Sequence, residues 1–210
     1  MIFKICGLKE INTIDCCEKK NVDFFGMIFY EKSPRNITLK QAQKFVEFSK
    51  NKNIKPVGVF VNENLEVTKS FIKNLDLKYV QLHGKENDEY IKEIKDNVDL
   101  EVIKSISIKN REDFRKINNY QVNDYFLLDY KPEKDDLPGG NAKQFDWSLL
   151  SDLNIKKPWF LSGGINKSNI NKITNYVNPN RIDLSSGVEE APGIKNIKMI
   201  NKLFEKYYAS

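Results

Sequence analysis

The sequence predicts an α/β protein, a (β/α)8 barrel of the TIM type forming one compact domain. Three observations predict it. Short apolar runs alternate with stretches of helical periodicity, eight of each, along the 210 residues. The runs are nearly unbroken in Val, Ile, Leu and Phe, as in parallel strands covered on both faces. Eight such units in this length favour closure over an open sheet, although such barrels more often run to about 250 residues. No linker or low-complexity tract divides residues 1–210, so loops must be short.

The first strand is Ile2–Cys6, and Ile11, Ile14 and Cys17 mark a helix over Glu10–Lys20. Val22–Phe29 is a second strand with Gly26 inside it. Thr38 reads as an N-cap for a helix carrying Leu39, Ala42, Phe45 and Val46 on one face. Strand Pro56–Val61 leads to helix Leu65–Leu75, and strand Tyr79–Leu82 to a helix with Tyr90, Ile91 and Ile94. Leu100–Ile106 is strand five, followed by a helix bearing Phe114 and Ile117. Tyr125–Leu128 is strand six. A loop over Tyr130–Lys143 and a short helix over Phe145–Leu150 follow. Trp159–Ser162 and helix Ile165–Tyr176 form the seventh unit; Arg181–Leu184 and a closing helix Lys195–Tyr208 form the eighth.

Composition narrows the function classes. The net charge is +5, with Lys and Arg spread evenly and no dense basic block interleaved with aromatics. That pattern argues against nucleic acid as a partner. Three cysteines, Cys6, Cys16 and Cys17, form no CxxC pair, so a disulfide framework is improbable and a reducing compartment is favoured. Cys16 and Cys17 read as packing residues of the first helix. Neither a signal segment nor an apolar run near twenty residues is present, so the expectation is a cytoplasmic protein without a membrane partner.

Barrel chemistry lies where strands end at the C-terminal rim. The strand exits carry Cys6, Arg35, His83, Asp129 and Asp183. Strands seven and eight end in Ser162-Gly163-Gly164 and Ser185-Ser186-Gly187, small-residue turns that leave backbone N–H groups uncovered. Two such turns after neighbouring parallel strands suit a phosphate. Each residue has an alternative reading. Cys6 is a reactive thiol or a small buried hydrophobe. Asp129 is an acid or a turn cap. Arg35 is a carboxylate fork or a solvated loop residue. His83 is a substrate contact or a hydrogen-bonded barrel residue. Asp183 binds substrate hydroxyls or holds loops together.

In order along the chain stand Lys4-Ile-Cys-Gly-Leu8, Ser33-Pro-Arg35, Val80-Gln-Leu-His-Gly84, Leu127-Leu-Asp129, Gly139-Gly140 with Phe145-Asp-Trp147, Leu161-Ser-Gly-Gly164, and Asp183-Leu-Ser-Ser-Gly-Val-Glu189 before Pro192-Gly193. Together they resemble phosphoribosylanthranilate isomerase, a barrel family of tryptophan biosynthesis. The resemblance spans residues 4 to 193. It implies a cofactor-free Amadori rearrangement of N-(5'-phosphoribosyl)anthranilate, with no metal. It implies Cys6 as the base, Asp129 as the acid and Arg35 as the grip on the anthranilate carboxylate. His83 would contact the substrate, and Asp183 its ribulose hydroxyls. Gly163, Gly164, Ser185, Ser186 and Gly187 would hold the phosphate. A monomer and a homodimer both fit.

Asn141-Ala142-Lys143 departs from the small-residue turn expected after Gly139-Gly140, and Lys9 and Ser162 also differ from the pattern. Ala takes positive φ less freely than Gly, so the sixth loop is expected to close differently. Two other readings compete: a related sugar-phosphate isomerase of histidine biosynthesis, and a non-catalytic phosphate-binding barrel. The first pairs two aspartates, so Cys6 and Arg35 argue against it. The second is opposed by the joint presence of thiol, carboxylate and guanidinium.

Overall fold

The computed structural model describes residues 1–133, 139–140, 143–151 and 153–209. Eight parallel strands close in sequence order: β1 (Ile2–Cys6), β2 (Phe24–Phe29), β3 (Lys55–Phe60), β4 (Tyr79–Leu82), β5 (Glu101–Ile108), β6 (Tyr125–Tyr130), β7 (Trp159–Leu161) and β8 (Arg181–Leu184). The seam is made by β1 against β8, with Lys4 opposite Asp183 and Ile5 opposite Leu184.

Successive side chains of a strand point to opposite faces, and two separate cores result. One fills the barrel and contains Phe24, Val57, Val59, Ile103, Leu127 and Phe160. The larger one, with Phe3, Ile5, Phe25, Phe60, Val102 and Leu128, packs between strands and helices. The strands are apolar on both faces because both faces are buried.

Helices α1 (Ile11–Lys19), α2 (Leu39–Ser49), α3 (Leu65–Leu75), α4 (Asp88–Lys95) and α5 (Ile197–Tyr208) cover the outside. Thr38 caps α2 with a full capping box: its hydroxyl accepts from Gln41 N–H, and the Gln41 side chain accepts from Thr38 N–H. Asn64, Asn87 and Asn196 cap α3, α4 and α5 in the same manner through their side chains.

The helices expected after strands five, six and seven are instead 3₁₀ turns, Arg111–Asn119, Trp147–Leu150 and Ile170–Asn175. Each is anchored by two apolar residues three apart: Phe114 and Ile117, Trp147 and Leu150, Ile170 and Ile173. Three residues per turn aligns such a pair on one side. Their polar remainder offers little apolar surface to extend an α-helical face. A hairpin absent from the sequence expectation joins β8 to α5. It pairs β9 (Glu189–Ala191) with β10 (Ile194–Lys195) around Pro192-Gly193. Gly193 has φ +83°, as the third position of a type II turn requires. Among the described residues no helix is long and apolar enough to cross a membrane.

Asp113 fixes the first 3₁₀ turn. It accepts from the N–H groups of Lys109 (2.9 Å) and Asn110 (3.3 Å), and pairs with Lys116 at 2.6 Å and Lys131 at 3.2 Å. Burial pushes its carboxyl up, but these donors outweigh burial and hold it at about 2, below its ordinary 3.8. A carboxyl depressed on folding stabilises above its unfolded value and loses that contribution as pH falls through the folded one. Asp113→Asn is therefore expected to cost about 1–2 kcal/mol at pH 7. Denaturant titrations should show the deficit shrinking below pH 4 and largely gone at pH 2.

Candidate active site

A cavity opens at the C-terminal mouth of the barrel, the place where barrel enzymes bind small molecules. Cys6, Arg35, His83, Asp129, Gly163, Gly164, Asp183, Ser185 and Ser186 all line it. Gly187 does not. Its Cα packs against the Ile165 carbonyl, where an added Cβ would lie 1.9 Å from the oxygen. Gly187 is thus a close-packing position behind the wall rather than part of it.

Cys6 ends β1 and is buried. Opposite it on β2 stands Gly26, where a Cβ would come within 2.6 Å of the Cys6 sulfur. The glycine makes room for the thiol. Two residues earlier on the same face, Lys4 is fully buried and paired with Asp183 at 2.9 Å. Burial pulls Lys4 down, but Asp183 and Cys6 outweigh it and hold the ammonium above its ordinary value. Asp183 is pushed up by burial, against the pull of Lys4. The Cys6 thiol is pushed up by burial, with Asp183 adding to it, while Lys4, Lys195 and Arg35 pull it down. Basic neighbours that favour the thiolate are present, yet burial outweighs them.

Asp129 ends β6 on the facing side of the barrel. Its Oδ1 accepts from Tyr130 N–H at 2.8 Å, and its Oδ2 faces His83 Nε2 at 3.4 Å. The Gln81 amide donates to His83 Nδ1 at 2.8 Å. His83 Nε2 also lies 3.4 Å from Ser105 Oγ. Gln81 Oε1 is buried on the cavity wall without a partner among the described residues. The His83 turn is fixed from behind. Buried Lys104 donates to the carbonyls of Leu82 and Gly84 and to Glu86, whose carboxylate accepts from Asn62 and Gly84 N–H.

Arg35 is buried rather than solvated. Its Nε and Nη2 donate to the two oxygens of Glu189 at 2.8 and 2.7 Å, and Nη2 also donates to the Gly140 carbonyl at 3.1 Å. The fork that could clasp a ligand carboxylate is therefore already engaged by the protein. Lys195 donates to Glu189 at 2.6 Å. Burial pushes Glu189 up, but Arg35 and Lys195 outweigh it and keep the carboxylate below its usual range.

The turn after β7 holds Gly163 and Gly164 at positive φ, +91° and +64°, and both line the cavity. Ser185 and Ser186 lie beside them on the cavity wall. Lys195 fixes this second turn by donating to the Ser185 carbonyl at 3.0 Å and hydroxyl at 3.2 Å. The Ser185 hydroxyl donates to the Cys6 carbonyl at 3.1 Å. Lys143 also lines the cavity, whereas Asn141 and Ala142, where the sixth loop departs from the family pattern, lie outside the described residues.

Sequence reasoning missed Lys4, Gln81, Glu189 and Lys195. Lys4 and Gln81 were findable by counting two residues back from Cys6 and His83 along their strands, which returns to the same face. Glu189 and Lys195 flank Pro192-Gly193, a turn signal whose hairpin places them side by side.

Fold and site together define a (β/α)8-barrel enzyme with a small-molecule pocket at its C-terminal mouth. The model of the N-(5'-phosphoribosyl)anthranilate (PRA) isomerase family matches residues 3–206. An N-(5'-phosphoribosyl)anthranilate isomerase from Rhizobium rhizogenes is 39% identical over 205 residues, 97% of this chain and 92% of that protein. The solved phosphoribosyl anthranilate isomerase of Thermotoga maritima superposes with a TM-score of 0.88 at 31% identity, covering 100% of both chains. Another solved phosphoribosyl anthranilate isomerase, in complex with reduced 1-(o-carboxyphenylamino)-1-deoxyribulose 5-phosphate, superposes at 0.83 with 30% identity over 100% of both chains. The chain belongs to the PRA isomerase family.

A thiol held up by burial alkylates slowly at neutral pH, because only the thiolate reacts. Iodoacetamide modification of Cys6, followed by mass spectrometry of its peptide, should rise with pH and reach half its maximal rate above the ordinary thiol value of about 8.5. A plateau already reached at pH 7 would contradict the burial effect.

Proposed function

We propose that this chain, as a single barrel domain, isomerises N-(5'-phosphoribosyl)anthranilate to 1-(2-carboxyphenylamino)-1-deoxyribulose 5-phosphate in tryptophan biosynthesis, with Cys6 and Asp129 as the proton-transfer groups. The observation that carries this reading is that both line one cavity together with Arg35 and the Gly163-Gly164 and Ser185-Ser186 turns. Family membership supports the reaction, and a solved relative holds the reduced product analogue.

The chemistry needs an acid at the furanose ring oxygen and a base at C2'. Asp129, carrying a proton, gives it to the ring oxygen. The C1'–O bond breaks as the nitrogen lone pair forms a cationic C=N bond. Cys6, as thiolate, then takes the proton from C2', and the electron pair moves through C1' to neutralise the nitrogen. The resulting enol gains a proton at C1' and loses one from its C2' hydroxyl, leaving the ketone. The cationic intermediate adds positive charge to that of Lys4, Lys195 and Arg35, and so favours the thiolate at the step that needs it.

His83, with Nε2 3.4 Å from Asp129 Oδ2, orients the acid and contacts the substrate. Asp183, tied to Lys4, presents its remaining oxygen to ribulose hydroxyls. The two turns after β7 and β8 hold the phosphate through backbone N–H groups, as in other barrels. Arg35 meets the anthranilate carboxylate through its Nη1 end. The protein acts on a diffusible substrate in the cytoplasm, as a monomer or homodimer.

Cys6→Ala and Asp129→Asn are each expected to lower kcat by at least about two orders of magnitude, the usual scale of general acid–base contributions. Turnover of phosphoribosylanthranilate measures this directly. Complementation of a tryptophan auxotroph lacking the isomerase, with Cys6→Ala beside it, should give growth with the native chain only. Near-normal rates in both variants would show the roles to be misassigned.

A further inference from the structure

Five groups at the mouth form one unbroken chain of contacts that runs from Arg35 through Glu189, Lys195 and Ser185 to Cys6. The two central members both lie on the small hairpin outside the barrel, where Glu189 and Lys195 are register partners. The side chains of Arg35, Glu189 and Lys195 are only 3–4% exposed. Two basic groups share one carboxylate in a poorly solvated place, and burial pulls Lys195 below its ordinary value despite Glu189. The hairpin tip also touches the Arg35 loop, since a Cβ on Gly193 would lie 2.4 Å from the Pro34 carbonyl.

A guanidinium has five N–H donors. Here Nε gives one to Glu189, and Nη2 gives one to Glu189 and one to Gly140. What remains is the Nη1 pair, aimed by the engagement of the rest. A free arginine would lose rotamer entropy on gripping a ligand; this one has already lost it on folding. At the other end, Lys195 ties both the carbonyl and the hydroxyl of Ser185.

We propose that Glu189 and Lys195 are positioning residues: Glu189 aims Arg35 at an aryl carboxylate, and Lys195 sets the Ser185 turn for a phosphate. This rests on the reading of Arg35 and Ser185 given above. Neither residue touches the reacting atoms. The hairpin acts as a gauge that fixes the separation between the two anionic ends of the substrate. It thereby favours ligands that carry both.

The test compares two ligands by calorimetry: reduced 1-(o-carboxyphenylamino)-1-deoxyribulose 5-phosphate, and the same molecule with an unsubstituted phenyl ring. The native protein should prefer the carboxylated ligand by at least about 10-fold, the scale of a charge-assisted contact. Glu189→Asp keeps the charge but shortens the reach. It should cut the preference to below about 3-fold; phenyl-ligand binding falls as well, by a smaller factor, because Glu189 Oε1 also holds Lys195. Lys195→Met should weaken both ligands alike, by about 10-fold, and leave the ratio unchanged. A native ratio in Glu189→Asp, or a changed ratio with unchanged phenyl binding in Lys195→Met, would overturn the assignment. Should Glu189→Asp not fold, the near-isosteric Glu189→Gln takes its place, with the same expected loss of preference. Absence of any carboxylate preference in the native protein would instead sink the assignment of Arg35, and this inference with it.

Discussion

The site depends on the closure of the barrel at a buried ion pair. Lys4 on β1 and Asp183 on β8 face each other in register and meet at 2.9 Å with almost no exposure. Removing one partner of such a pair typically costs about 3–5 kcal/mol, because the other charge is left uncompensated. Apolar residues could close the same seam at lower desolvation cost. Cys6 lies two residues beyond Lys4 on the same face and feels both charges, so the pair that closes the seam also sets the surroundings of the thiol.

A second arrangement gives the mouth its rigidity. Arg35, Glu189 and Lys195 bind one another on one side, and Lys104 and Glu86 hold the His83 turn on another. Arg35, the Ser185 turn and the His83 turn are thus each fixed from behind by buried partners. Catalytic geometry of this kind must be held to a fraction of an ångström, and buried charge pairs of fixed stereochemistry supply that constraint.

Much of this was legible in the sequence, for identifiable reasons. Strands buried on both faces write themselves as apolar runs, so Ile2–Cys6, Tyr79–Leu82 and Arg181–Leu184 fall where periodicity puts them. The cavity residues stand at strand ends, which topology turns toward one mouth. The 3₁₀ turns were not legible, since an apolar pair three residues apart satisfies 3.0 and 3.6 residues per turn alike. Nor was the engagement of Arg35 by Glu189, 154 positions away. Local patterns carry strand and helix; they carry no register for a side chain crossing the mouth. The state of the Cys6 thiol also escaped sequence reading. Counting nearby cations gives the pull toward thiolate but omits the burial that opposes it.

The contacts that join Lys4 to Asp183 and Ser185 to Cys6 each span 179 positions. A chain emerging from the ribosome holds its thiol from the first residues onward, but acquires Asp183, Ser185 and the hairpin only near the end of translation. Until Arg181–Leu184 joins, such a chain has neither the charge pair beneath the sulfur nor the second small-residue turn, so the mouth is completed only with the eighth strand.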